Sequence, residues 1–392
     1  EIGGASLTIS ALSLGGLNPG DFSLVGWNGN DPITIPDGGA PAVLGVRCTP
    51  SAPGLRTATL SMSTNDPQQP TVTFDVSCQG VRPLQPPLAS FALGQASTGA
   101  SSGPHGLAIS PDGQHLYLAA QTGDFLIMLR RSPDGALQVG ATYQHNAALP
   151  EGTLRLDGPR YVAVSPDGRT VYVTASASDS VTAFARDATT GLLTLLDTVQ
   201  QGDSYGCRVR PPPQLIECAG TISSLDNPQG VVVSPDGLHV IVASATGHLT
   251  VLSRAANGGL RGLFPAGARF VMSLNRSELA GARGLAISPE GSNLYVAGYA
   301  NNQLVGITRN LANGQLSFNE ALKDGGRIEG LDGIFGVTVS PDGQYVYAAS
   351  QRANAVAVFQ RNLAEQGRLR FQQAWQQGDS VLDPQTGLLR TL

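Results

Sequence analysis

The sequence predicts an all-β protein with two regions, a small β-sandwich followed by a series of repeated four-stranded sheets. The 392 residues include 49 Gly and 26 Pro, which disfavour long helices and favour short strands joined by tight turns. A second observation is that the string Ser-Pro-Asp/Glu-Gly recurs at intervals of 52–69 residues, starting at residues 110, 165, 234, 288 and 340. A third is that every copy of this string is flanked by two short apolar runs.

The flanking runs are rich in β-branched and aromatic residues and predict strands that are covered on both faces. The Pro, Asp and Gly between them favour a hairpin turn, so we interpret Asp112, Asp167, Asp236 and Asp342 as turn residues and not as a catalytic series. Third strands are predicted at residues 125–129, 181–185, 249–252, 304–308 and 356–360, and fourth strands at residues 136–143, 192–199, 260–269, 315–322 and 368–375. Four strands in about 50 residues, repeated, predict the blades of a β-propeller, and five full blades are visible.

The clearest copy of the repeat contains Val171-Tyr-Val-Thr174, Ser180-Val-Thr-Ala-Phe184 and Thr190-Gly-Leu-Leu193. This pattern resembles the lactonase-type seven-bladed propellers, including the Tyr-Val-Thr-Asn repeat proteins, and the resemblance covers residues 88–392. It implies a propeller fold, and it makes hydrolysis of a sugar lactone the first enzymatic candidate. It also implies that substrate binds on the face where the inter-blade loops lie.

The two ends of the propeller region predict an incomplete ring. Residues 88–96 resemble a fourth strand without its first three, and residue 392 lies where a sixth first strand is expected soon after. We therefore expect a ring of six or seven blades, with one or two blades beyond residue 392. The alternative is that five blades close by themselves or through a neighbouring subunit.

Residues 1–82 show alternating apolar and polar residues, as in 56–64 and 71–76, with Pro-Gly and Asn-Asp-Pro breaks. This pattern predicts antiparallel sandwich strands. It resembles the immunoglobulin-like choice-of-anchor D repeats of bacterial surface proteins, which are related to the ASPM–hydin group. The resemblance implies an immunoglobulin-like β-sandwich that lacks its first strand, followed by a Pro-rich linker at residues 83–87.

The four cysteines form no CxxC unit, which disfavours a zinc or thioredoxin-type site. Their even number and pairwise proximity predict the disulfides Cys48–Cys78 and Cys207–Cys218 and an oxidising compartment, which is extracellular, at the cell surface or periplasmic. The second pair would pin a loop at residues 202–226, which is long enough to serve as a lid or a protein contact.

Charge and motifs exclude several classes of function. A net charge of −5 and a single lysine, Lys323, disfavour a nucleic-acid partner and a polybasic membrane patch. No apolar run approaches the roughly 20 residues of a membrane span. No GxSxG, HExxH, P-loop or GxGxxG motif occurs in a suitable context, and the five histidines share no ligand spacing, so neither a metal nor a cofactor is predicted.

Candidate binding residues come from aligning the repeats. The residues just before the first strands are His105, Arg160, Gln229, Arg283 and Phe335. First strands line the channel of a propeller, so the four polar residues would converge at its mouth. There they would suit a carboxylate or phosphate group of a small anionic or sugar-derived ligand. The alternative is that they only line a wet channel, and no catalytic residue can be named.

These observations favour a non-catalytic extracellular or cell-surface module of a larger bacterial protein, which binds other protein domains or subunits. One alternative is a lactonase-like hydrolase that acts on a sugar lactone at the channel mouth. Another is a subunit of an extracellular polymer completed by strand donation. A lactonase should place a carboxylate or a histidine beside Arg160 and Arg283, whereas a binding module should present an exposed patch that includes Tyr205 and Tyr299.

Overall fold

The computed structural model describes residues 6–27, 31–36, 42–51, 54–80, 103–205, 208–210, 215–217, 220–260, 271–382 and 389–391. The chain divides into two compact units, residues 1–88 with 382–388, and residues 89–381 with 389–392. Regular structure in the described residues is strand, apart from three-residue 3₁₀ helices at Pro19–Asp21, Ser277–Leu279, Tyr299–Asn301 and Leu363–Glu365. The all-β prediction is therefore confirmed. Among the described helices, none has the length and apolarity that a membrane crossing requires.

The described strands of the first unit are β1 (Leu7–Gly15), β2 (Phe22–Val25), β3 (Ile33–Ile35), β4 (Gly45–Cys48), β5 (Gly54–Thr64) and β6 (Thr71–Gly80). They form a four-stranded antiparallel sheet in the order β3-β1-β5-β6 and a two-stranded sheet of β2 and β4. The immunoglobulin-like assignment of residues 1–82 and the linker at 83–87 stay predictions.

A disulfide joins Cys48 at the end of β4 to Cys78 in β6, which confirms the first predicted pair. The bond ties the two sheets of this unit together, and closing a loop of this length stabilises a fold by roughly 3–4 kcal/mol. Beside it, the buried Asp21 pairs with Arg56 and accepts the backbone N–H of Ser51 at 3.0 Å. The second predicted pair, Cys207 and Cys218, lies outside the described residues.

The second unit contains five four-stranded antiparallel sheets, each built from four consecutive strands. Blade 1 is β7 (Pro104–Ile109), β8 (His115–Ala120), β9 (Phe125–Arg131) and β10 (Leu137–Gln144), and the hairpin of β11 (Ala148–Leu149) and β12 (Gly152–Thr153) follows it. Blade 2 is β13 (Pro159–Val164), β14 (Thr170–Ala175), β15 (Ser180–Arg186) and β16 (Leu193–Gln200), followed by the loop strands β17 (Ser204–Tyr205), β18 (Arg208–Arg210), β19 (Leu215–Glu217) and β20 (Gly220–Thr221).

Blade 3 is β21 (Pro228–Val233), β22 (His239–Ser244), β23 (His248–Ser253) and β24 (Val271–Asn275). Blade 4 is β25 (Ala282–Ile287), β26 (Asn293–Gly298), β27 (Gln303–Arg309) and β28 (Leu316–Lys323). Blade 5 is β29 (Ile334–Val339), β30 (Tyr345–Ser350), β31 (Ala355–Asn362) and β32 (Arg368–Gln376), and the paired β33 (Ser380–Leu382) and β34 (Leu389–Thr391) follow it. The prediction of five repeated blades is confirmed.

One predicted strand of blade 3 was wrong. The fourth strand, expected at residues 260–269, lies at Val271–Asn275 and pairs with β23. Leu260 is fully buried, and its N–H donates to the carboxylate of Asp197 in blade 2, at 2.9 Å to Oδ2. The apolar start of the predicted run therefore packs between two blades and does not join a strand ladder. The fourth strand expected at residues 88–96 lies outside the described residues.

The first strands of the blades pack side by side in chain order, β7 on β13, β13 on β21, β21 on β25 and β25 on β29. Glycine permits this approach. A Cβ atom on Gly284 would lie 2.7 Å from the carbonyl oxygen of Phe335, and one on Gly106 would lie 2.4 Å from that of Arg160. These glycines directly follow Arg283 and His105, so the close packing also sets the spacing of the predicted site residues.

A buried arginine joins each described pair of neighbouring blades, in an arrangement that we call the clasp. An arginine at the end of a third strand reaches back to the turn carboxylate of the preceding blade, in the pairs Arg186–Asp112, Arg254–Asp167, Arg309–Asp236 and Arg361–Glu290, at 2.6–2.9 Å. The turn role of these carboxylates is confirmed, since Asp112 also accepts the hydroxyl of Ser110 and the N–H of Gln114. Their second role, holding blades together, was not predicted.

A tyrosine hydroxyl completes three of the four described clasps. It accepts the arginine Nε–H and donates to a glycine carbonyl, as Tyr172 does with Arg254 at 2.8 Å and Gly258 at 2.6 Å. Between blades 3 and 4, Ile241 stands at the tyrosine position of β22. Nε of Arg309 there has no hydrogen-bond partner among the described residues, and this arginine is only 3 % exposed. The missing hydroxyl explains the unpaired donor.

Replacing Ile241 with tyrosine is expected to raise the free energy of unfolding by about 1–2 kcal/mol, because a buried hydrogen bond to a charged donor is gained. The new hydroxyl would accept from Arg309 and donate to Gly314, which lies against His239 as Gly191 lies against His115 in a complete clasp. Urea denaturation measures the difference. The Ile241→Phe variant adds the ring without the hydroxyl, and equal stability of the two variants would contradict this explanation.

Candidate functional site

Two of the predicted site residues contact each other directly. Arg160, at the start of β13, donates from Nη1 to Nε2 of His105 in β7 at 3.0 Å, and from Nε to Oγ of Ser176 at 3.1 Å. The imidazole of His105 meets the ring of Tyr161 edge-on, with 5.5 Å between ring centroids. Because Arg160 donates to Nε2, the neutral imidazole carries its proton on Nδ1, and this buried atom has no hydrogen-bond partner among the described residues.

Arg283 reaches the same place from blade 4. Its guanidinium lies over the rings of Tyr299 and Phe335, with Cζ 4.6 Å and 5.1 Å from the two centroids. Phe335, the residue at the equivalent position of blade 5, also packs against His105 with 5.4 Å between centroids. Nε of Arg283 is buried and unpaired in the described part of the chain. The starts of four first strands therefore meet around one cluster.

Positive charge dominates this cluster. Within the described residues, neither Arg160 nor Arg283 forms an ion pair with a carboxylate. Burial, together with the charges of Arg160 and Arg283, lowers the pKa of His105 to about 4. Burial and the charge of Arg283 likewise lower the pKa of Arg160, and burial raises that of Tyr161. His105 is therefore neutral at neutral pH, and both arginines lie close enough to influence it without a carboxylate partner in the described ranges.

The cluster is rich in hydrogen-bond donors and poor in acceptors. Two guanidinium groups lie beside His105, and a carbonyl oxygen, an oxyanion or an anionic group could accept their N–H groups. Within the described ranges, no group of His, Cys, Asp and Glu side chains could hold a metal ion. The arrangement can bind an anion and can stabilise negative charge that develops on a reacting oxygen.

The side chain of Gln229, the fourth predicted residue, makes no hydrogen bond to the other three among the described residues, although a Cβ atom on the adjacent Gly230 would lie 2.4 Å from the carbonyl oxygen of Arg283. Its side chain is 2 % exposed, and its amide donates to Oδ1 of Asn227 at 2.6 Å. Its Oε1 has no described partner. The structure therefore brings together His105, Arg160 and Arg283, while the role of Gln229 stays a prediction.

Sequence reasoning missed the aromatic part of this cluster. Tyr161 occupies the position that is glycine in the other four first strands, and this irregularity in the repeat could have marked it. Tyr299, expected in an exposed patch, is half-buried against two arginines. Nothing in the sequence pairs Tyr299 with Arg283, since they lie on different segments of blade 4. The side chain of Tyr205 is outside the described part.

Comparisons with known proteins identify the fold family. The sequence profile described as "Lactonase, 7-bladed beta-propeller" matches residues 88–210 and 275–382, more than half of the chain. These ranges contain His105, Arg160, Arg283 and Phe335, while Gln229 falls between them. None of the curated proteins that were compared matches the chain.

Several solved structures are similar. A candidate 6-phosphogluconolactonase from Bacteroides fragilis superposes with a TM-score of 0.53 at 15 % identity, covering 85 % of this chain and 89 % of that one. A functionally unknown protein from Desulfotomaculum acetoxidans has a TM-score of 0.50 at 13 % identity, with 84 % and 80 % covered. A protein from Lactobacillus plantarum has a TM-score of 0.50 at 17 % identity, with 94 % and 95 % covered. At these identities, the likeness shows the fold alone.

The family match corrects the sequence-based preference for a non-catalytic module that is not an enzyme, and favours the hydrolase alternative. That preference relied on the missing catalytic motifs, which belong to other folds and say little about a site assembled from the starts of several strands. A histidine does lie beside Arg160, as expected for a lactonase. The chain belongs to the lactonase family of seven-bladed β-propellers.

Proposed function

We propose that this protein hydrolyses a sugar lactone at the cluster of His105, Arg160 and Arg283. The observation that carries the proposal is the 3.0 Å contact between Arg160 and His105, with Arg283 close enough to depress the same imidazole's pKa. The family match supports a lactonase, and the similar Bacteroides fragilis structure bears the name of a candidate 6-phosphogluconolactonase. Residues from several blades would act together, as substrate sites in propellers require.

The reaction needs stabilisation of one oxyanion. Water adds to the carbonyl carbon of the lactone, the ring C–O bond breaks, and the products are a carboxylate and a hydroxyl group on one open chain. Negative charge first develops on the carbonyl oxygen. The guanidinium of Arg160, which pairs with no carboxylate among the described residues, is suited to donate hydrogen bonds to that oxyanion because the site already holds it beside His105.

His105 is the candidate base. Its Nε2 lone pair is occupied by Arg160 in the unliganded protein. A substrate carbonyl oxygen that takes over the hydrogen bond of Arg160 would free this lone pair for a proton from the attacking water. An anionic group on the same substrate, bound at Arg283, would offset the positive charge that depresses the imidazole's pKa and would make His105 a stronger base. The proton can then pass to the departing ring oxygen.

The uncompensated arginines favour a lactone that carries a carboxylate or phosphate group over a neutral one. A phosphorylated aldonolactone satisfies this requirement. The Cys48–Cys78 disulfide fits an oxidising compartment, so an extracellular or periplasmic location stays our prediction.

The decisive experiment measures hydrolysis of 6-phosphogluconolactone and of δ-gluconolactone above their spontaneous rates, with the whole chain. We expect the phosphorylated lactone to be preferred and the His105→Gln variant to lose about 10²-fold in kcat. The His248→Gln variant removes an imidazole that contacts Thr246 and none of the site residues, and should behave as wild type. Hydrolysis no faster than the uncatalysed reaction would refute the proposal.

The pH dependence follows from His105. δ-Gluconolactone does not titrate in this range, so the pH dependence of its kcat/KM reports the ionisation of the free enzyme. Its imidazole has a pKa of about 4, so kcat/KM should stay level above that pH and fall as the pH drops through it. An acid limb near the ordinary histidine value would show that another group is the base.

A further inference from the structure

Arg283 is held in an unfavourable place without a polar anchor. Within the part of the chain that the structure describes, its Nε has no hydrogen-bond partner and no carboxylate pairs with it. The positive charge of Arg160 is near enough to affect the same imidazole and opposes its approach. A flexible arginine in this situation would turn toward water unless another interaction held it.

Two aromatic rings supply that interaction. Tyr299 and Phe335 meet edge to face at 90° with 6.3 Å between centroids, and the guanidinium of Arg283 lies over both. The negative faces of aromatic rings attract a cation, and the attraction strengthens as water is excluded. The rings of Tyr299 and Phe335 therefore offset the positive charge of Arg283, and its N–H groups remain available to a ligand.

Tyr299 is itself fixed by a polar network between blades 4 and 5. The guanidinium of Arg352 lies 5.0 Å from its ring centroid. Arg352 donates to Asp332 at 2.9 Å and to Asn302 at 2.6 Å, and Asn302 donates to Asp332 at 2.8 Å. Asn302 ends the 3₁₀ turn that begins at Tyr299 and has φ of 54°, which its short amide side chain tolerates. This network sets where the Tyr299 ring stands.

We propose that Tyr299 is a positioning residue, which holds the guanidinium of Arg283 toward the anionic group of the substrate without contacting the reacting atoms. The inference rests on the proposed function and deepens it. It assigns to Tyr299 a task inside the site, in place of the exposed binding patch that the sequence predicted. Phe335 is the second ring that contacts the guanidinium of Arg283. It also packs on His105, so a change at Tyr299 tests the position of Arg283 more directly.

The first readout needs no catalysis. In the substrate-free protein, the imidazole of His105 is titrated by NMR in the wild type, Tyr299→Leu, Tyr299→Phe and Arg283→Ala. Titratable and charged groups around His105 are Arg160 and Tyr161 from β13 and Arg283 from β25, and Phe335 faces it from β29. Tyr299→Leu should raise the His105 pKa from about 4 toward that of Arg283→Ala, whereas Tyr299→Phe should leave it unchanged.

The second readout is kinetic. Tyr299→Leu should raise KM for 6-phosphogluconolactone about 10-fold while kcat changes less than about 3-fold, the pattern of lost ground-state binding. KM for δ-gluconolactone should hardly change, since it lacks the anion. Tyr299→Phe, which keeps the ring face, should restore wild-type values.

The outcomes separate the two proposals. An NMR shift in Tyr299→Leu without any lactonase activity would keep the positioning role and refute the proposed function. Activity with unchanged titration and unchanged KM would overturn the positioning role. The urea midpoint of each variant serves as the folding control. If Tyr299→Leu is unfolded, Tyr299→Met replaces it, because methionine fills more of the volume of the tyrosine side chain.

Discussion

Replacing Arg160 with alanine is expected to lower kcat/KM for 6-phosphogluconolactone by about 10²–10³-fold, the usual cost of removing one donor that stabilises developing charge. Two effects combine in this residue. Its guanidinium is the hydrogen-bond partner of His105, and it supplies half of the uncompensated positive charge in the cluster. Loss of that charge should also raise the pKa of His105, so the acid limb of kcat/KM should move to higher pH.

Arg169 offers a matched control at the opposite end of the same strand hairpin. It is exposed, follows the Ser-Pro-Asp-Gly turn between β13 and β14, and Arg169→Ala should leave kcat/KM unchanged. Arg160→Lys should rescue only partly, because an ammonium keeps the charge but not the planar, two-point geometry. Wild-type kinetics in Arg160→Ala would move the site away from these residues.

Removing the clasp arginine of blade 5 is expected to lower the free energy of unfolding by about 3 kcal/mol, since it leaves the buried side chains of Tyr295 and Asn293 without this hydrogen-bond donor. Arg361 is 5 % exposed and donates to the carbonyl of Gly343, to the hydroxyl of Tyr295 at 2.8 Å, to Asn293 at 2.9 Å and to Glu290 at 2.6 Å. Arg361→Met keeps most of the side-chain length without the donors. Urea denaturation at neutral pH measures the loss.

The loss of stability in Arg361→Met should depend on pH. Burial acts to raise the pKa of Glu290, but hydrogen bonds from Arg361 and Ser288 lower it to about 2. A carboxyl group whose pKa is lower in the folded than in the unfolded protein stabilises the fold at pH values above its unfolded pKa. This stabilisation is lost as the pH falls toward 2. The difference between wild type and Arg361→Met should therefore shrink in acid.

Arg370→Met is the control on the same blade, because Arg370 in β32 is exposed. It should leave the urea midpoint unchanged. A loss as large as that of Arg361→Met would show that the clasp is not the cause. A loss near zero in Arg361→Met itself would mean that water replaces the arginine at this interface.

Much of the architecture could be predicted because it depends on neighbours in the chain. The Ser-Pro-Asp-Gly turns form from local hydrogen bonds, such as those of Asp112 with Ser110 and Gln114. Apolar runs on both sides of each turn become strands that blades cover from two sides. The Cys48–Cys78 disulfide followed from proximity along the sequence. The turns and strands depend on a few consecutive residues each, and the disulfide on two cysteines 30 positions apart.

Other features could not be predicted because their partners lie far away in the sequence. Leu260 looked like the start of a strand, but the distant carboxylate of Asp197 takes its N–H. The clasp between Arg361 and Glu290 joins residues 71 positions apart. The preference for a non-catalytic module is overturned by the family match, which no short catalytic motif in the sequence had indicated.

The sequence by itself determined the repeat, the strands, the turns and the set of residues that begin the first strands, since each depends on short-range patterns of apolarity and backbone preference. Only the tertiary structure decided that His105 and Arg160 are in contact, and that the guanidinium of Arg283 lies over the rings of Tyr299 and Phe335. Their meeting depends on how closely successive first strands pack, which glycines such as Gly106 and Gly284 permit. That packing distance is a property of pairs of blades, so no single repeat encodes it.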